Sequence, residues 1–176
     1  IWGPAVQLYA LRSQHNWGIG DFGDLLRLVE HWAARGASVI GLSPLHALFP
    51  HDPERASPYS PSSRLALNLL YIDVDALDEA RAGGAAQALI ESAPFRERIA
   101  QLRAAELVDY AGVAGAKFEA LALAYADFRA RHLSGDLARQ IRNVERLYRA
   151  DAGLTVDQPL PGVLHAGALR RDESHS

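Results

Sequence analysis

The 176-residue chain contains no cysteine, which excludes disulfides, thiolate zinc sites and cysteine nucleophiles. This fits a reducing cytoplasm, the expected location. Methionine is absent too, even at position 1. The chain begins Ile1-Trp2-Gly3-Pro4, and the expectation is that it is cut from something longer. No apolar run reaches the roughly 20 residues that span a bilayer. No basic segment followed by an apolar stretch opens the chain, so no secretory leader is expected. Positive charge is not in excess: the net charge is −3, which leaves no electrostatic footprint for nucleic acid. What is present is 49% hydrophobic and 22% charged residues, a balance that buries a core. The length suits one domain with an appended subdomain.

Composition shifts near residue 75. Eight of the 14 aromatics precede it, and five of the nine prolines fall from Pro44 to Pro61, where a long structured loop is expected. Beyond Asp75 the vocabulary is Ala, Leu, Arg and Glu, that of helices. Three regions follow: 1–75, a helical 76–150, and a tail 151–176 without periodicity.

The first region reads as a βαβ unit. Ala5-Val6-Gln7-Leu8-Tyr9-Ala10-Leu11 suits a buried strand, and a turn-rich stretch over 13–20 follows it. Asp21 suits the N-cap of an amphipathic helix whose apolar positions are Phe22, Leu25, Leu26, Val29, Trp32 and Ala33. Gly36 stands where a left-handed helix-ending residue belongs, and Ser38-Val39-Ile40-Gly41-Leu42 reads as a second strand, parallel to the first. Leu69-Leu70-Tyr71-Ile72-Asp73-Val74 reads as another strand or a strand-like cover. Further helices are expected at about 82–92, 94–107, 112–133 and 134–150, with Pro94 in a first turn. Val113, Phe118, Leu121, Tyr125 and Phe128 form the third helix's packing stripe.

The motifs carry little chemistry one by one. Gly18-Ile19-Gly20-Asp21-Phe22-Gly23 matches a dinucleotide fingerprint in letters only. About seven residues separate it from the strand, and no acidic residue ends the second strand. The seven histidines, His15, His31, His46, His51, His132, His165 and His175, form no H-x₃-H or H-E-x-x-H pair, so no metal site is expected. His46, just past the second strand, reads equally as a loop residue and as a ligand contact. No G-x-S-x-G elbow supports a serine hydrolase. Asp21 and Asp24 read first as helix-start carboxylates. Asp73 and Asp75 alternate with Ile72 and Val74, as on one strand face.

Ser57-Pro58-Tyr59-Ser60-Pro61-Ser62-Ser63-Arg64 is the stretch most suited to a ligand. Prolines flank a tyrosine on a loop at the C-terminal end of strand two, where parallel α/β folds carry ligands. A tyrosine offers a ring face and a hydroxyl, the pair that meets a sugar.

These residues occur in a telling order. Val6-Gln7-Leu8-Tyr9-Ala10-Leu11-Arg12-Ser13 comes first, then Asn16-Trp17-Gly18-Ile19-Gly20-Asp21-Phe22-Gly23-Asp24-Leu25, then Ile40-Gly41-Leu42-Ser43-Pro44-Leu45-His46-Ala47-Leu48. The tyrosine stretch and Leu69-Leu70-Tyr71-Ile72-Asp73-Val74 complete the series, which closely resembles the bacterial 4-α-glucanotransferases (amylomaltases, glycoside hydrolase family 77). Val108-Asp109-Tyr110 and the helix through Lys117 look like that family's helical insertion. The resemblance covers roughly 1–130 and weakens to about 150.

The resemblance implies an α/β chain that holds the first βαβ portion of a (β/α)₈ barrel and part of a helical insertion. It implies transfer of α-1,4-glucan segments to glucose or maltodextrin acceptors by a retaining double displacement, with a carboxylate pair about 5–5.5 Å apart. Those carboxylates lie on later strands of the family barrel, so no catalytic residue is expected here and the chain alone is expected to be inactive. Substrate contacts carried over are Tyr59 and Ser57, with Asn16, Trp17, Asp21 and His46 as weaker matches. For Asn16, Trp17 and Asp21 an architectural role is the first reading. No cofactor is implied, and the partner is a malto-oligosaccharide. The alternatives are a non-catalytic carbohydrate-binding or interaction module of the same descent and, within α-glucan enzymes, a hydrolase. For the tail, a divergent insertion end, a frame change and an expression boundary stay open.

Overall fold

A computed structural model describes residues 1–132. The helix expected over 134–150, the tail 151–176, His165 and His175 lie outside the described residues. Strand β1 (Ala5–Val6) precedes helix α1 (Phe22–Ala33) and strand β2 (Gly41–Leu42). The two strands pair in parallel, with Ala5 opposite Gly41 and Val6 opposite Leu42, so the expected βαβ unit is present. It is shorter than expected. Past Val6 the backbone curls into a 3-10 turn at Leu8–Ala10, with Ala10 N–H donating to Gln7 O and Leu11 N–H to Leu8 O. That curl turns Leu8 fully into the core. Of the expected second strand, only Gly41 and Leu42 join the ladder.

Helix α1 begins and ends as its residues dictate. The Asp21 carboxylate accepts from Asp24 N–H while the Asp24 carboxylate accepts from Asp21 N–H, a reciprocal capping box. Gly36 follows the helix at φ +82°, a conformation that costs glycine least. The apolar stripe of α1 is only partly covered: Phe22 and Leu25 pack on the core, whereas Leu26 and Val29 are exposed.

Within the proline-rich stretch lies a short strand, β3 (His46–Ala47), which pairs antiparallel with β4 (Ser63–Leu67). The expectation of an unbroken loop from 44 to 61 is corrected at that point, and β4 has no counterpart among the elements expected from sequence. Residues 69–74 are not a strand either. They form 3-10 turns at Leu69–Tyr71 and Val74–Ala76, which aim Leu70, Tyr71 and Val74 inward. Asp73 and Asp75 consequently share no strand face.

The helices α2 (Ala85–Glu91), α3 (Ala93–Ala104) and α4 (Tyr110–His132) fall close to expectation. Ser92 caps α3, with Pro94 in its first turn. On α4 the buried face differs from the aromatic stripe. Val113, Ala116, Lys117, Ala120 and Ala124 are buried, whereas Tyr125 is exposed and Phe118 and Leu121 are only partly covered. Alanine suits these positions because it lets α4 lie close to α2 and to the turns between 69 and 80. One core cluster runs from Leu8, Trp17, Ile19 and Tyr71 to Phe95, Ile99 and Val113. The Trp17 ring meets Phe95 edge-on, with centroids 5.3 Å apart. Among the described residues no helix is long and apolar enough to cross a membrane.

Candidate functional site

Parallel pairing brings the C-terminal ends of β1 and β2 to one side. There Gln7, Ala10 and Leu11 face Ser43 and Pro44, and Tyr59 stands beside them, around an open pocket of about 680 Å³. The loop that carries Tyr59 is pinned on both flanks. Pro58 is buried, Ser60 N–H donates to Ser57 O, Ser62 N–H donates to Ala47 O (2.9 Å), and the Ser62 hydroxyl donates to Leu48 O (2.5 Å). Tyr59 is left 68% exposed. A phenol ring on a pinned loop at a strand-pair mouth offers a flat apolar face and a hydroxyl to a polar ring.

The six residues singled out from sequence separate into three groups. Tyr59 lines the pocket, and Ser57 is exposed on the same loop. His46 lies in β3 opposite Leu67, outside the pocket lining. Asn16, Trp17 and Asp21 are in the interior. Asn16 donates its amide to Leu11 O (3.2 Å) and to Asp24 Oδ2 (2.6 Å) and accepts from Gly18 N–H. Trp17 donates its indole N–H to Asp75 Oδ2 at 2.9 Å. A second cavity of about 310 Å³ lies between the β3–β4 hairpin and α4, lined largely by apolar side chains that include Phe49, Leu67 and Phe118. Tyr59 does not line it.

Sequence reasoning missed the residue that joins the halves. Lys117, fully buried on α4, donates its ammonium to Leu70 O and Ile72 O, both at 2.7 Å, and faces Asp21 Oδ2 at 3.7 Å. Burial lowers its pKa to about 8, against the pull of Asp21 and Asp73. Burial likewise raises Asp21, with Lys117 opposing. The one available signal was the lysine's place among alanines on α4, with Ala114 and Ala120 three residues to either side. Among the described residues no three histidine or carboxylate side chains gather to hold a metal.

Asp24 behaves oppositely to Asp21. Burial pushes its pKa up, but hydrogen bonds from Asn16, Ser13 and Arg27 outweigh that and hold it below 3.8. A carboxylate lowered by folding adds stability above its unfolded pKa and loses it as pH falls through the folded value. The stability gap between wild type and Asp24→Asn is therefore expected to narrow as urea titrations move from about pH 6 to about pH 2. A gap that stays constant would refute the assignment.

The architecture is that of an α/β protein built on a parallel βαβ unit, with a tyrosine-bearing loop at its strand mouth and a helical segment packed on its first loop. The 4-alpha-glucanotransferase family model matches residues 6–150, and the chain belongs to that family. A 4-alpha-glucanotransferase of Haemophilus influenzae is 46% identical over 121 residues, which cover 69% of this chain and 17% of the relative. One from Mycobacterium bovis is 39% identical over 110 residues, covering 58% and 14% respectively. The crystal structure of amylomaltase from Corynebacterium glutamicum superposes with a TM-score of 0.62 at 25% identity, over 94% of this chain and 24% of that one. The chain thus spans 17% and 14% of the length of the two relatives.

Proposed function

We propose that this chain supplies the first βαβ portion of a (β/α)₈ barrel (1–75) and part of a helical insertion (76–150) to an enzyme that transfers α-1,4-glucan segments. The acceptors are glucose or maltodextrins. The residues present form one wall of the sugar site, and the carboxylates of the double displacement belong to later barrel strands. Family membership supports the reaction class. The observation that carries the site is Tyr59, exposed on a pinned loop at the mouth of the β1–β2 pair. In this reading Tyr59 stacks on a glucose ring, Ser57 borders it, and His46 and the interior residues Asn16, Trp17 and Asp21 support the wall.

Two measurements on the 176-residue chain test this. Incubated with maltotriose, the chain is expected to release no glucose and form no longer maltodextrin. Any transfer above background overturns the division of labour. Maltoheptaose is expected to shift the Tyr59 resonances, and Tyr59→Ala to weaken binding about tenfold, the equivalent of ~1.4 kcal/mol. Equal binding by wild type and Tyr59→Ala would remove Tyr59 from the site.

A further inference from the structure

The pocket wall at residues 7–11 is held from a distance. Leu11 lines the pocket beside Tyr59, and its carbonyl accepts from the Asn16 amide at 3.2 Å. Asn16 is itself gripped from the helical segment: Arg103, at the end of α3, donates Nε to Asn16 O (2.5 Å) and Nη2 to His15 O (3.4 Å). Arg12, next to Leu11, closes the same loop by donating to Gly18 O. The loop 11–18 is also tied to α1 through Asn16 and Asp24 and to the 74–76 turn through Trp17 and Asp75; Arg103 supplies the ties that come from α3. Its exposed side chain contributes no core packing, so the fork-shaped donor is its contribution here.

We propose that Arg103 is a positioning residue for the pocket, acting through the Asn16 backbone and the Asn16–Leu11 hydrogen bond on the wall that faces the ligand. By this route the helical segment sets the geometry of the strand-mouth pocket. The ligand assignment rests on the glucan reading above; the mechanical link does not. Charge-assisted hydrogen bonds to two carbonyls are among the stronger ones in proteins. Their loss loosens the 15–16 backbone, and the Asn16 amide, still tied to Asp24, then holds Leu11 O less well.

The test uses the 176-residue chain with Arg103→Ala and Arg103→Lys, and Arg96→Ala on the same helix as control. Amide exchange of Ala10 and Leu11, whose N–H groups donate to Gln7 O and Leu8 O, reads the wall directly. Arg103→Ala is expected to speed both about tenfold, with α4 amides unchanged. Arg103→Lys, which keeps the charge but loses the fork, is expected to restore protection only in part. Maltoheptaose affinity is expected to fall in parallel. Unchanged exchange at Ala10 and Leu11 overturns the proposal, as does loosening spread evenly over the whole chain. Faster exchange in Arg103→Ala with no maltoheptaose binding by wild type sustains the link and sinks the glucan reading instead.

Discussion

Lys117→Met is expected to destabilise the fold by about 3–5 kcal/mol, the cost of removing one partner of a buried ion pair. Methionine keeps the length and apolar stem of lysine, so the loss isolates the ammonium. Without it Leu70 O and Ile72 O lose their donor, and Asp21 loses the cation that opposes its burial. Each buried acceptor left unpaired costs about 1–3 kcal/mol. Urea denaturation of the 176-residue chain measures the effect. A loss under about 1 kcal/mol would show that the clamp adds little. Adding Asp21→Asn should recover part of the loss, because asparagine caps a helix about as well as aspartate and brings no charge. Linkage gives an independent check. The lysine pKa is about 8 in the fold against 10.5 when unperturbed, so between those values the unfolded chain binds more protons. Wild-type stability should therefore rise with pH across that window, and the methionine variant should lack the rise.

The second large effect is expected at Gly18. Its φ is +90°, and a Cβ placed there would meet Leu102 O at 2.8 Å and the Leu102 carbonyl carbon at 2.9 Å. Gly18→Ala adds about 1–2 kcal/mol of left-handed backbone strain and about 1–3 kcal/mol of overpacking. Gly36→Ala separates the two contributions, because Gly36 has φ +82° and a Cβ added there would meet nothing within 4 Å. It should cost only about 1–2 kcal/mol, the left-handed penalty alone. Thermal melts of both variants decide the matter. Equal losses would mean that the approach of α3 to the first loop is not tight. The same close approach explains why a dinucleotide-like string occurs without a nucleotide site. Gly18 gives way to the α3 backbone, and Gly20 to Leu8 O, from which its Cβ would stand 2.0 Å.

Much of the local structure was legible because its causes lie within a few residues. Asp21, three residues before Asp24, starts α1. Gly36 ends it, and Ser92 with Pro94 starts α3. The Tyr59 loop was readable because Pro58 and Pro61 deny it regular structure, and its exposed tyrosine stands at the strand mouth where it was placed. The family was legible for a different reason: an ordered series of motifs carries information that no single motif does. The aromatic stripe on α4 misled because large apolar residues suggest a core face, while the close approach of α2 and the turns between 69 and 80 selects alanine.

What the sequence determined by itself was thus helices α1 to α4, the parallel βαβ order, the tyrosine loop and the family. Only the tertiary structure decided that residues 8–10 and 69–76 are 3-10 turns, that β4 pairs with β3, and that Lys117 is a buried clamp. It alone set Asn16, Trp17 and Asp21 inside while leaving Tyr59 in the open. The physical reason is separation along the chain. Caps, turns and prolines act on neighbouring residues, but a carbonyl at Leu70 finds its lysine 47 positions away. Only the alanines on its helix face set that lysine apart from a solvated one until the core closes around it.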